Sequence, residues 1–227
     1  GPIAGQSIPV DCLRLLTWNV HSCRSARLDP SLRLVAEVIE ASGADIVALQ
    51  EVDVACPRTA WVHQPEELGQ IVGMSSHFCR LVDWEHFPSS PETEGMYGLA
   101  FLCHPDLHPR RIDCHDLPRL SSKSEPRGIF QIEVEWNGVP IVVMNAHLSV
   151  QRRERAYQLW AVRQRVKELQ KDDSSFVLMG DFNTVGVATT TATRTTENRV
   201  LFGHQQPVVI GQSLHVRRWS AIPRSSW

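Results

Sequence analysis

Phe176-Val177-Leu178-Met179-Gly180-Asp181-Phe182-Asn183 decides the reading of this chain. An apolar run of this kind is a buried strand, and its ending in Gly-Asp-x-Asn delivers a carboxylate and a carboxamide to the rim of a sheet, where α/β proteins bind ions and ligands. Two positions apart on extended backbone, Asp181 and Asn183 point the same way. One anionic oxygen ligand beside one neutral hydrogen-bonding group suits a divalent cation and a phosphate oxygen. The same tetrapeptide is also an ordinary turn, so its meaning depends on the rest of the chain.

Working outward, three more apolar runs end in polar residues: Leu13 to Trp18 ends at Asn19, Ile46 to Gln50 at Glu51, and Val139 to Met144 at Asn145 and His147. A lone acid after a strand is usually just solvated. Oxygen donors and a histidine at several strand exits fit a site assembled along one sheet edge. The first two runs flank a helical period at Leu32, Val35, Val38 and Ile39, so they form a β-α-β unit with parallel strands. Asp29-Pro30 reads as its N-cap and first helical residue, and Gly43 as its C-terminal cap. Ile129 to Trp136, Asn137-Gly138 and the run from Val139 form a hairpin. Leu159, Val162, Val166 and Leu169 mark the inward face of a helix from about Gln151 to Gln170. Tyr97 to Cys103 is a further strand, and Pro57 to Pro91 reads as edge loops with a short helix from Glu66 to Val72.

The 227 residues, 42% hydrophobic, suffice for one large α/β domain. A formal charge of −2 provides no global field toward nucleic acid or anionic membrane. No apolar stretch reaches the length of a membrane span and the first residues carry no secretory signal, so a cytoplasmic protein is expected. Because Gly1 stands where a Met would begin a chain, processing or loss of an upstream segment is also expected. The six cysteines form no Cys-x-x-Cys pair and read as reduced thiols. With no Cys/His set for zinc, any metal chemistry here is carboxylate chemistry.

In order and spacing, Thr17-Trp18-Asn19-Val20-His21, Leu49-Gln50-Glu51-Val52-Asp53, Glu125-Pro126-Arg127-Gly128, Asn145-Ala146-His147-Leu148 and Gly180-Asp181-Phe182-Asn183 resemble the endonuclease/exonuclease/phosphatase superfamily, in particular its bacterial phosphodiesterase-like members. The resemblance implies a deoxyribonuclease-I-like α/β (α+β) fold: two packed mixed β-sheets flanked by helices, a four-layer sandwich. It implies Mg²⁺ or Mn²⁺ as cofactor, Glu51 as the principal metal ligand with Asn19 beside it, and catalytic roles for His147, Asp181 and Asn183. Asp181 would orient or activate water, Asn183 would bind the phosphoryl group, and His147 would donate to a phosphate oxygen. Arg127 is a further phosphate contact held apart from that set. The implied partner is a phosphoester: a small phosphodiester, a phospholipid headgroup or a nucleic acid.

The pattern breaks after Asn183. Seven of the thirteen residues from Thr184 to Thr196 are threonine, and no strand period continues. Family members close with an Asp-His pair in which the histidine is the general base; no aspartate follows Asn183, and His204 and His215 lack an acidic neighbour. The expected organisation is a family domain over residues 1–183 with an atypical segment over 184–227 and an incomplete second sheet. A truncated or frame-shifted ending would account for it, and translation of the other two frames tests this. The alternative to a hydrolase is a catalytically silent phosphate-binding or scaffold module.

Overall fold

A computed structural model describes residues 7–8, 12–25, 30–87, 94–172 and 174–183, and the strand backbone of 199–200, 208–213 and 220–221. Residues 12–181 supply four strands to each of two sheets. The first holds β1 (Cys12–Asn19), β2 (Ile46–Val54), β3 (Ser75–Asp83) and β4 (Met96–Cys103). The second holds β5 (Arg111–Asp116), β6 (Gly128–Trp136), β7 (Val139–His147) and β8 (Ser175–Asp181). Three short strands extend the edges, β9 (Arg199–Val200), β10 (Val208–Ser213) and β11 (Ser220–Ala221), giving the orders β11-β10-β1-β2-β4-β3 and β5-β6-β7-β8-β9.

Alternation along the strands sorts side chains into three packing layers. Leu13, Leu15, Ile46 and Phe101 of the first sheet meet Phe130, Val143 and Met179 of the second. Leu16, Val47 and Leu102 point the other way, onto α1 (Leu32–Ser42) and α2 (Gln64–Val72). Val142, Met144 and Leu178 pack under α3 (Arg152–Lys171). The result is the expected α/β/β/α sandwich, with strands apolar on both faces because both are covered.

Two β-α-β units set the directions of the strands that matter. β1 and β2 are parallel across α1, and β7 and β8 are parallel across α3. The β6–β7 hairpin turns at Asn137 (φ 51°) and Gly138 (φ 77°), both left-handed as a two-residue turn of this hand requires. β7 and β8 lie so close at Ala146 and Gly180 that a Cβ on Gly180 (φ 141°) would sit 1.9 Å from the Ala146 carbonyl oxygen.

Several expectations need correction. Residues 57–91 are more than edge loops: α2 begins at Gln64, and β3 forms an edge strand beyond β4. The α1 N-cap is Ser31, with Pro30 paired to Arg24 in a bridge; Asp29 lies outside the described residues. Leu159 is turned to solvent, whereas Glu154 and Gln158 occupy the buried face of α3. These two polar side chains are satisfied there, since Leu120 N donates to Glu154 and Ser149 N to Gln158. The Cys79 and Cys114 sulfurs meet between β3 and β5 with Cα atoms 6.0 Å apart, which fits a disulfide rather than six reduced thiols. Past Asn183, residues 184–198 lie outside the described residues, but β10 pairs with β1 over six positions where no strand was read from sequence. The second sheet's edge at β8 is covered by β9 at only Val177 and Leu178.

Candidate active site

All four parallel strands of the two β-α-β units contribute to one cluster, three of them at their last residue and β2 from a bulge within it. β1 contributes Asn19, β2 Glu51, β7 His147 and β8 Asp181. Asn19 Nδ2 donates to Glu51 Oε1 at 2.8 Å and to Asp181 Oδ2 at 2.9 Å, joining carboxylates from different sheets through one nitrogen. His147 Nε2 lies 3.7 Å from Glu51 Oε1 and 4.0 Å from Asp181 Oδ2. Those separations are too long for hydrogen bonds. Among the described residues, neither ring nitrogen of this buried histidine has a hydrogen-bond partner. Asn183 (φ 48°) closes the cluster from below, its backbone N–H donating to Asp181 Oδ1 at 2.9 Å and its Nδ2 to the Leu148 carbonyl at 2.8 Å.

Beneath the cluster, a buried amide pair locks the sheets together. Gln50 Nε2 donates to Asn145 Oδ1 at 2.7 Å, and Asn145 Nδ2 donates to the carbonyls of Leu49 and Ala100. Above it, the β2 ladder slips by one residue between Gln50 and Val52, which leaves Glu51 left-handed at φ 60°. A bulge at this position swings the carboxylate out of the sheet toward the cavity. A left-handed non-glycine residue costs on the order of 1–3 kcal/mol and persists where surrounding structure over-determines it.

The cavity, about 240 Å³, is lined by Glu51 and by residues not singled out as catalytic from sequence: His21, Arg58, Trp84, Tyr97, Glu125 and Arg127 are among them. His21 Nδ1 lies 3.2 Å from Glu51 Oε2. Arg58 forks onto buried Asp53 with two contacts of 2.7 Å, its guanidinium 5.3 Å from the Trp84 ring and 5.6 Å from Tyr97. Arg127, also buried, is paired with Glu125. Of these, His21, Glu125 and Arg127 fall within motifs visible in the sequence. Arg58, Trp84 and Tyr97 carry no local signal, because they reach the cavity from separate elements.

Electrostatics divides the cluster into fixed roles. Burial acts to raise the Glu51 carboxyl, but hydrogen bonds from His21 and Asn19 and the neighbouring imidazoles outweigh it and hold the group at about 2. Burial, helped by the charge of Arg127 and opposed by Glu51 and Asp181, lowers His147 to about 4, so it is neutral at pH 7. The hydrogen bond to Glu51 raises His21 despite partial burial.

This donor set fits a hard divalent cation. Glu51 stays ionised on the wall of a cavity with room for water, a second carboxylate shares its Asn19 nitrogen, and the orphaned imidazole of His147 faces both acids. Among the described residues, the tightest group of three carboxylate or imidazole ligand atoms is instead Asp83, Glu85 and His86 where β3 ends, beside Trp84 of the cavity wall; the ligand atoms of Glu51, His147 and Asp181 are spaced more widely.

The fold and site define a four-layer α/β sandwich whose parallel strands converge on an acid–amide–histidine cluster. The chain belongs to the Endonuclease/Exonuclease/phosphatase family, whose model matches residues 16–205. It is similar in structure to the human Nocturnin catalytic domain with bound sulfate (19% identity, 79% of this chain and 66% of that one, TM-score 0.62). It is also similar to D. rerio TDP2 complexed with a single-strand DNA product (20%, 77% and 62%, TM-score 0.58). Truncated C. elegans TDP2 is a third such structure (18%, 76% and 63%, TM-score 0.57). The chain spans less than two thirds of the length of each. No curated protein matches the chain significantly.

Proposed function

We propose that this protein is a divalent-metal-dependent hydrolase of phosphoester bonds, working by in-line attack of water on phosphorus. The observation that carries the reading is the Asn19 bridge, one amide nitrogen holding Glu51 and Asp181 from separate sheets beside an unpartnered imidazole. Mg²⁺ or Mn²⁺ held by Glu51 would supply Lewis-acid polarisation of the phosphoryl oxygen. Asn19 orients both acids through its nitrogen. Asp181 accepts the proton side of the attacking water and fixes its direction. Neutral His147 donates one ring N–H to a non-bridging phosphoryl oxygen as charge builds there, a contact that strengthens toward the transition state. Asn183, with one amide N–H committed to Leu148, retains its second for the phosphoryl group. Arg127 adds positive charge from the cavity wall. The proton of the attacking water passes to Asp181, the P–O ester bond breaks, and the leaving alkoxide takes a proton from solvent and departs as an alcohol.

A second reading, a phosphate-binding module without turnover, is favoured by one observation: no aspartate follows Asn183, so the family's closing Asp-His base is missing from this sequence. Hydrolysis of bis(p-nitrophenyl) phosphate with Mg²⁺ or Mn²⁺ separates the two. Metal-dependent turnover that disappears in Glu51→Gln and Asp181→Asn supports the enzyme. Saturable metal binding without turnover supports the silent module.

A further inference from the structure

We propose that the outer face of α3 is a docking surface for anionic phospholipid bilayers. Nine large hydrophobic side chains are exposed among the described residues, and five of them, Leu120, Val150, Tyr157, Leu159 and Trp160, lie on α3 or on loops hydrogen-bonded to its first turns. Scattered exposed apolar residues need no explanation, but a concentration of this kind marks a contact surface. Tyr157, Trp160 and Val150 are each more than half exposed, at 59%, 64% and 67%.

The exposed charges around them are mostly basic, with Glu168 and the C-cap Asp172 the exposed acids of this helix. Arg152, Arg153, Arg163 and Lys167 are exposed and make no ion pair among the described residues, whereas Arg155 and Arg165 turn back to bond Ser149, Val150 and Gln131. The exposed acid Glu168 is paired with Arg165, and Glu154 is buried. Arg153, Trp160 and Lys167 stand seven residues apart and so share a line along the helix, with Tyr157 and Arg163 flanking it. Gln158, Val162 and Leu169 are buried on the opposite side, so this face is fixed outward.

Cations with aliphatic stems alternating with Trp and Tyr match the headgroup layer of a bilayer, where aromatic rings sit at the polar boundary and basic heads meet anionic lipid. A single-stranded nucleic acid fits less well. Leu120, Val150 and Leu159 offer a base no π-face, and a convex helix gives no groove for a phosphate backbone to follow. The formal charge of the whole chain is −2, so the attraction is local to this face.

The start of this helix lies close in the chain to the candidate site. α3 begins five residues after His147, and Gln158 bonds the Pro118 carbonyl at the base of the loop that leads to Glu125 and Arg127. Bilayer binding does not depend on turnover.

Flotation with vesicles of phosphatidylcholine alone, or with about 30% phosphatidylserine, tests the surface at about 0.1 M salt. The wild type is expected to float with the anionic vesicles and to release as salt rises. Tyr157→Ser/Trp160→Ser should lower partition about 10-fold or more. Arg153→Glu/Arg163→Glu should lower it about 25-fold or more, since each basic group near such a surface contributes roughly fivefold. Glu51→Gln should float as the wild type does. All four altered surface positions are exposed, so thermal unfolding should match the wild type, and either double variant alone can decide the outcome. Equal partition onto neutral vesicles, no partition, or full retention by a folded double variant would overturn the proposal. So would loss of single-stranded oligonucleotide binding by Tyr157→Ser/Trp160→Ser with vesicle binding intact.

Discussion

At the scale of single residues, the cluster couples charge to stability as well as to chemistry. His147 titrates near 4 in the folded chain and near 6.5 when exposed, so between those values the unfolded chain binds a proton that the folded chain refuses. Stability therefore rises with pH across that window, by up to about 1.4 kcal/mol per pH unit for one proton. Glu51, held at about 2 against an ordinary 4.5, adds a slope of the same sign at lower pH: its contribution is complete above 4.5 and lost as pH falls toward 2. Urea unfolding between pH 4 and 7 should show the wild-type rise, and His147→Gln should flatten it; an unchanged slope in that variant would place the effect elsewhere. For the reaction, Glu51→Gln should lower turnover by about two to four orders of magnitude, measured as kcat/KM at saturating metal. The convergence of Asn19, Glu51 and Asp181 was legible because each follows an apolar run, although β2 continues past Glu51 after a bulge. Leu159 misled because a leucine three residues before Val162 fits a helical stripe, and only buried acceptors at Glu154 and Gln158, needed by loop N–H groups, reveal the true inward face.

Among the elements, the two β-α-β units explain why four distant residues meet. Each unit sends two parallel strands the same way, and the packed sheets bring both pairs of exits together. Hydrophobic periodicity exposed the first unit, the separate elements of the second and the Asn137-Gly138 hairpin, whereas the parallel pairing of β7 with β8 came from the structure. β3 and β5 escaped for a physical reason: both are edge strands with polar or half-exposed residues, such as Arg-Ile-Asp-Cys-His-Asp in β5, so neither has the apolar run of a covered strand. The β7–β8 contact makes a sharp demand. Gly180→Ala should cost about 3 kcal/mol or more, because the new methyl meets the Ala146 carbonyl and the left-handed backbone adds strain. Gly138→Ala also forces a left-handed residue but meets nothing within 4 Å, so it should cost only about 1 kcal/mol. Denaturant midpoints of the two variants give the comparison, and equal losses would contradict the close approach.

For the whole molecule, the C-terminal strands decide whether residues 12–183 form a self-sufficient unit. β10 pairs with six residues of β1, a strand whose other edge is taken by β2 and whose side chains fill two of the three packing layers. Ending the chain after Asn183 would strip that ladder and leave the Cys12–Thr17 edge of a doubly covered strand open to pairing with another copy. The second sheet would lose much less, since β9 meets β8 at two positions. The truncated chain is therefore expected to associate in size-exclusion chromatography and to melt well below the full chain. Divalent metal provides an internal control, because a ligand at about 100 times its Kd stabilises the state that binds it by about 2.7 kcal/mol, or roughly 5–10 °C for a domain of this size. If the strand exits hold the ion, Mg²⁺ should raise the melting temperature of the full chain and leave Glu51→Gln unmoved. A truncated chain that stays monomeric, melts with the full chain and keeps the metal shift would mean that β10 is dispensable and that the site stands on residues 12–183 alone.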